Sequence, residues 1–285
     1  MSEICVVHLV RKSNGIAPLE RFLESYLRYP AGVPHDLLVV FKGFLPGREP
    51  ESYRARLRGV PHKAMYVWDY GFDIRPYMKA ARIFDHAYFC FLNSYSVILA
   101  GDWLSKMHAH VCREGVGIVG ATGSCESAYS VNLNAQGLGP PPALPIAFFR
   151  ALRLRALRAW FDPFPNNHIR TNAFIVPRSV IRATRFRTTL NKLDALRFES
   201  GRNGLTRQVM NMGLRALVVG KDGKAYESGN WLASNTYRAG DQHNLLVADN
   251  QTAAYLQCNA QTRGYLSRCA WGEEGPPILP VKERA

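Results

Sequence analysis

Charged, amide and hydroxyl side chains gather at a few places in this 285-residue chain, each just after an apolar run. Arg11 to Asn14 follow one run, Lys42 a second, Asp69-Tyr-Gly71-Phe-Asp73 a third and Asn93-Ser94-Tyr95-Ser96 a fourth. Guanidinium and ammonium groups pair with phosphate oxygens, and amides and hydroxyls bond oxygens of either kind, so these types suit a nucleotide. Loops are polar in any globular fold, so residue type alone does not separate a site from ordinary surface. A second set stands further along, in His168-Ile-Arg170-Thr-Asn172 and in Glu199-Ser-Gly201-Arg202-Asn203. The six cysteines include no C-x-x-C pair, and His108 and His110 would point to different faces of a helix. Neither a structural metal nor a disulfide framework is expected.

Charge narrows the partner class. Lysine and arginine total 36 against 22 acids, a net charge of +14, which favours nucleic acid, an anionic membrane surface or phosphate-bearing small molecules. No zinc-finger, RRM or KH pattern is present and the aromatics recur mainly at core spacing, so nucleic acid is the least favoured of the three. Apolar runs such as Leu37–Phe41 fall far short of the ~18 residues that a membrane span needs. The first residues lack the charge-then-apolar order of a signal peptide, and a cytoplasmic protein is expected.

The clusters sit where strands should end. Ile4–Val10, Leu37–Phe41, Met65–Trp68, Tyr88–Leu92 and Val116–Ala121 read as buried strands. Between them, Ile16 to Leu27, Ile74 to Phe84 and Trp103 to Val111 carry apolar residues at helical spacing, with Asp102 as a cap. Such alternation predicts an α/β fold with a mostly parallel sheet, in which ligands bind beyond the carboxyl ends of the strands. The regularity breaks at Gly137, Gly139 and Pro140-Pro141-Pro142. The stretch 146–161 then interleaves Arg150, Arg153, Arg155 and Arg158 with Phe148, Phe149, Leu152, Leu154, Leu157 and Trp160. It reads either as a helix in peripheral contact with an anionic membrane or as an internal helix with snorkelling arginines. After it, 168–176 reads as a strand entered through polar residues, Phe198 to Asn203 as the entry to a helix, Leu214–Val219 as a strand and 241–270 as mostly helical.

The order of these segments resembles a family-2-type glycosyltransferase of the GT-A fold, from about residue 4 to 220. The resemblance is carried by Val6-Val-His-Leu-Val10 with Asn14 to Tyr29, and by Gly71 with the helix leading to Tyr88-Phe-Cys-Phe-Leu-Asn93-Ser94. It continues in Trp103-Leu with Val116 to Ser124, and in Glu199, Leu205-Thr-Arg-Gln208 and Gly213-Leu-Arg-Ala-Leu. It implies a GT-A-like domain over 1–240, with 241–285 as a helical extension packed on it. It also implies a nucleotide-sugar donor and a glycan or lipid-linked acceptor, in the transferases of bacterial surface polysaccharides that the chain is most similar to.

Two departures bear on mechanism. Asn93-Ser94-Tyr95 stands where the family has D-x-D, whose carboxylates hold Mg²⁺ or Mn²⁺ on the donor diphosphate. Either Asp69 or Asp73 helps to hold a metal, or arginine and lysine meet the diphosphate directly; the excess of arginine favours the second. Gly201-Arg202 falls at the family's E-D pair, leaving Glu199 two residues early. The donor-binding candidates are Arg11, Asn14, Lys42, Asp69, Gly71, Asp73, Asn93 and Ser94. Glu199 is the candidate base for an inverting displacement, or else an acid at a helix N-terminus. Asp73 contacts the nucleotide or caps the helix after it. His168, Arg170, Asn172 and Arg202 are candidates for the acceptor or diphosphate, with salt bridges the alternative for the arginines. Gln242, Asn244, Asp249 and Asn250 close over the site or cap a helix.

Overall fold

Ile4–Arg11 (β1) is apolar at nearly every position because it is buried on both faces, between two layers of helices. Ile4, Val6 and Val10 pack with Leu19, Phe22 and Leu23 of helix Ala17–Arg28 (α1), while Cys5, Val7 and Leu9 turn to the opposite layer. Strands His35–Lys42 (β2) and Lys63–Val67 (β3) extend the sheet in parallel on one side of β1, with helix Glu51–Leu57 (α2) between them. Helix Ile74–Ile83 (α3) buries Ile74, Tyr77 and Met78 in the second layer and leads to Tyr88–Leu92 (β4), on the other side of β1. The computed structural model describes residues 2–136, 144–186 and 191–272. The glycine-proline connection read at 137–142 and the end of the C-terminal extension lie outside them.

The remaining elements complete a mixed sheet. Val97–Ile98 (β5) precedes helix Trp103–Val111 (α4), whose Trp103, Leu104 and Met107 join the α1 layer. Val116–Gly120 (β6) and Gly123–Ser124 (β7) follow, then helices Ala128–Gln136 (α5) and Leu144–Trp160 (α6). Next come His168–Ile169 (β8), Ala173–Pro177 (β9) and helices Arg178–Ala183 (α7), Lys192–Ser200 (α8) and Leu205–Asn211 (α9). Arg215–Val219 (β10), Ala225–Tyr226 (β11) and Val247–Ala248 (β12) precede helices Asn250–Gln257 (α10) and Ala260–Trp271 (α11). The main sheet has eight strands in the order β11-β10-β6-β9-β4-β1-β2-β3. Its β9 runs antiparallel between β4 and β6, and β11 runs antiparallel at the edge. The expected mixed, mostly parallel sheet flanked by helices is therefore present.

Four local expectations change. Residues 168–176 form two strands, with β8 pairing β7 and the turn at Arg170–Asn172 separating it from β9. The segment around Glu199 ends a helix instead of entering one, because Asn191 and Asp194 form a capping box that starts α8 upstream. Glu199 thus lies in the last turn of α8, at the negative end of the helix dipole, and is no N-terminal acid. Asp102 stands at the α4 N-cap position with φ 56°, and its side chain does not cap. Residues 241–248 are non-helical, and β12 pairs with β5 before α10 begins. All six cysteines are free thiols.

Candidate active site

The sheet's strand order reverses between β1 and β4, and the crevice beyond their carboxyl ends collects the polar groups. At the end of β1, Arg11 binds Asp69 through two bonds, Nε at 2.8 Å and an η nitrogen at 3.2 Å. Lys42, ending β2 and buried, donates to the Phe72 carbonyl at 2.8 Å and lies 3.6 Å from Asp69. That carbonyl belongs to an unusual bend: Gly71 has φ 79° and Phe72 φ 48°, the second being left-handed backbone that a bulky side chain resists. Lys42 therefore ties down a strained loop and sets where Asp69 and Asp73 point. Burial lowers its pKa, with Asp73 and Asp69 opposing that fall.

Asp73 occupies the N-cap position of α3 but its side chain does not cap the helix. Burial pushes its carboxyl up from the ordinary value; Lys42 and Arg11 pull it down and Glu199 adds to the rise. These influences place Asp73 within the electrostatic reach of both clusters. At Asp69 burial also pushes upward, yet the bonds and charge of Arg11 and Lys42 outweigh it and the carboxyl is held below its usual range.

Antiparallel β9 brings the second set to the same edge. Its first residues face the ends of β4 and β6: the Asn93 N–H donates to the Asn172 carbonyl at 2.8 Å, and the Ala121 N–H to the Ala173 carbonyl at 2.9 Å. The turn before β9 holds Arg170, Thr171 and Asn172. Thr171 Oγ1 donates to Glu199 Oε2 at 2.5 Å. His168 is buried, with Nδ1 2.8 Å from the Asn166 carbonyl and Nε2 4.0 Å from Glu199 Oε1. A carbonyl only accepts, so Nδ1 carries the proton and Nε2 is left as a lone pair. Burial lowers the imidazole pKa against the pull of Glu199, which keeps the ring neutral. Two acceptors then face each other across 4.0 Å, and a hydroxyl that enters between them has one proton to give, to Glu199 Oε1 or to His168 Nε2.

Arg170 is spent on architecture. Its guanidinium donates to Asp249 at 2.7 Å, reaches Thr122 Oγ1 at 3.4 Å and stacks 4.1 Å from the centre of the Tyr237 ring. Asp249 answers with both oxygens: Oδ2 takes Arg170, while Oδ1 caps α10 through the Gln251 and Thr252 N–H groups. Asn172 Oδ1 accepts from Thr122 at 2.7 Å, while its amide nitrogen is buried without a partner among the described residues.

The structure thus brings Arg11, Lys42, Asp69, Gly71, Asp73, Asn93, Ser94, His168, Arg170, Asn172 and Glu199 to one edge of the sheet. Asn14 ends the 3₁₀ turn after Arg11 and is half-buried. Arg202 goes elsewhere: it pairs with Asp162 at 3.2 Å and lines a cavity of about 580 Å³ with Trp160, Arg197 and Gln208, which neither Glu199 nor His168 lines. Gln242 and Asn244 are buried in loop contacts: Gln242 bonds the Arg238 N–H and the Thr252 carbonyl, and Asn244 the Ser234 carbonyl. Sequence reasoning missed Thr171 and Thr122. Both are small hydroxyls in polar segments, and only their partners mark them out.

The donors at the end of β4 do not fit a divalent cation. Asn93 Oδ1 already accepts from the Tyr95 N–H at 3.0 Å and from Ser96 Oγ at 3.1 Å. Asp69 is bound to Arg11, and among the described residues no three His, Cys, Asp or Glu side chains gather as a metal site would need.

The sequence matches no family model and no curated protein. Among solved structures it is similar to the mannosyltransferase PcManGT from Pyrobaculum calidifontis, in complex with GDP-Man and Mn²⁺, at 16% identity and a TM-score of 0.48, over 82% of this chain and 59% of that one. It is also similar to residues 1–349 of TarS from S. aureus, at 11% identity and a TM-score of 0.42, over 74% and 56% of the two chains. A third similarity is to glucosyl-3-phosphoglycerate synthase from Mycobacterium tuberculosis, in complex with Mn²⁺, UDP and glucosyl-3-phosphoglycerate, at 13% and 0.39, over 72% and 62%. The chain spans less than two thirds of the length of each.

Proposed function

We propose that this is a nucleotide-sugar-dependent glycosyltransferase with a GT-A-like fold, acting by direct displacement with inversion. The observation that carries the reading is the facing pair of Glu199 Oε1 and neutral His168 Nε2, 4.0 Å apart at the strand ends. An acceptor hydroxyl between them would pass its proton to Glu199 as its oxygen bonds the anomeric carbon. The bond from that carbon to the donor diphosphate breaks, and the nucleoside diphosphate leaves. Thr171 fixes the Glu199 rotamer, and His168 Nε2 stands beside it to accept from a neighbouring hydroxyl of the acceptor. Arg11, half-exposed, supplies the positive charge that the leaving diphosphate meets, exchanging Asp69 for phosphate. Beside it, a cavity of about 210 Å³ lined by Tyr66, Trp68, Tyr70 and Arg75 offers aromatic faces to a nucleobase. The acceptor is read as a glycan or lipid-linked glycan in surface-polysaccharide synthesis. Residues 241–272 are read as part of the same domain, with the Arg170–Asp249 pair in support.

The test is a thermal-shift screen of nucleoside diphosphates and their sugars, each with EDTA or Mn²⁺. Binding at a hundredfold excess over Kd adds about 2.7 kcal/mol to the folded state. A shift selective for one nucleotide and undiminished by EDTA is expected. The absence of any nucleotide shift, with tight salt-sensitive binding to RNA or DNA, overturns the reading.

A further inference from the structure

Helix α6 is built inside out. Of its 17 residues only Leu157 is buried. Leu144 is 87% exposed, Phe149 67%, Phe148 66%, Leu152 54% and Ile146 51%. By contrast, α1 and α3 bury their large apolar residues, apart from Leu27 and Ile83 at their last turns. At about 100° per residue, Phe148, Phe149 and Leu152 share one outward side with Ala156 and Ala159, and Arg153 and Arg155 border it on either hand. Arg150, Arg153, Arg155 and Arg158 are all exposed. The helix is held from behind by α5, with Arg158 lying 5.6 Å from the centre of the Tyr129 ring.

Charge identifies what covers this face. From Ser127 to Phe161 the chain carries four arginines and no acid, although it has 22 acids in all; Glu126 and Asp162 bracket the stretch. An apolar ridge bordered by arginine with no compensating carboxylate is complementary to a surface that is apolar inside and anionic outside. A second copy of the chain would set arginine against arginine. A nucleic acid would satisfy the arginines but leave Leu144, Ile146 and Leu152 in water, since aliphatic side chains give bases no stacking face. No helix among the described residues is long and apolar enough to cross a membrane.

We infer that α6 lies in the interface of an anionic lipid bilayer. Phe148, Phe149 and Leu152 enter the acyl boundary, and Arg153 and Arg155, which border them, rest among the headgroup phosphates. The inference stands independently of the transferase reading, although a surface-bound enzyme would meet a lipid-linked acceptor without leaving the membrane.

Co-sedimentation with vesicles tests it, using phosphatidylcholine alone and phosphatidylcholine mixed with phosphatidylglycerol. Wild type should sediment only with the anionic vesicles and be released by raised salt. The F148S/F149S/L152S and R153Q/R155Q variants should each lose roughly tenfold or more in vesicle affinity. Their melting midpoints and nucleotide shifts should match wild type, because the replaced side chains are exposed. If the triple variant does not fold, Leu152→Glu alone should show a smaller loss in the same direction. Failure of the wild type to sediment with anionic vesicles overturns the inference, as does undiminished binding by both variants. A lipid-free dimer that the apolar triple variant abolishes, without vesicle binding, would assign the face to a second copy instead.

Discussion

Two carboxyls near the carboxyl edge of the sheet are driven in opposite directions. Burial pushes Asp73 upward, and Lys42 and Arg11 act on it only through space, so its pKa stays raised. Burial pushes Asp249 upward as well, but Arg170 at 2.7 Å, the Thr252 backbone and the Thr252 hydroxyl overcome it and the pKa falls below the ordinary value. The Arg170 side is closed: its side chain is 6% exposed and that of Asp249 1%. The Arg11 side is open, with 40% of the Arg11 side chain and 34% of that of Asp69 reached by solvent. A buried, fully paired charge braces the structure, whereas a half-exposed pair can trade its partner for a ligand. The transfer chemistry proposed above needs both: a rigid turn to hold Thr171 against Glu199, and a loosely held arginine for the diphosphate.

The largest effect tests what the rigid side serves. Glu199→Gln should lower kcat by about 10²–10⁴ while the nucleotide-induced thermal shift is retained, as measured by single-turnover assay and melting. Unchanged turnover removes Glu199 as the base. Next, Asp249→Ala leaves Arg170 buried and uncompensated and should cost about 3–5 kcal/mol in urea denaturation. Asp249→Asn keeps an acceptor for the α10 cap and should cost less; equal losses would show that the charge facing Arg170 accounts for the whole effect and the cap for none of it. On the open side, Arg11→Ala should change stability by less than about 1 kcal/mol. The same variant should weaken nucleoside-diphosphate binding about tenfold, the order expected for a hydrogen bond to a charged group. A large stability loss with unchanged binding would make the pair structural and erase the contrast.

The smallest effect concerns pH. Between the ordinary carboxylate value of 3.8 and its raised native value, folded Asp73 holds a proton that the unfolded chain has released. Its contribution to stability therefore falls as pH rises through that window and stays lost above it. Asp73→Asn should remove that fall, so that the variant gains on wild type as pH rises through the window and is the more stable at neutral pH. A variant that loses ground to wild type as pH rises through the window would mean that Asp73 is paired more closely than its surroundings indicate.

Much of the open side is legible in the sequence, because Arg11, Lys42, Asp69 and Asn93 each follow an apolar run that could only be a buried strand. The rigid side is less so. His168, Arg170 and Asn172 stand out by type, but the run 168–176 reads as one strand, and nothing local shows that β9 turns antiparallel between β4 and β6. Glu199 is visible as an acid beside glycine, while its place at the end of α8 depends on the Asn191–Asp194 capping box. The interleaved arginines of α6 leave two environments open, and the exposure of its phenylalanines excludes the internal one.

Local pattern alone determined the strand–helix alternation, the strand ends that carry Arg11, Lys42 and Asn93, and the absence of D-x-D. These follow from side-chain periodicity and from the rule that chain reversals are polar. Tertiary structure decided which side chains meet: Thr171 with Glu199 across 28 residues, and Arg170 with Asp249 across 79. It also separated Arg202 from the crevice and turned the ridge of α6 outward. Pairings of that kind arise from how elements pack after they form, and no short-range spacing encodes them.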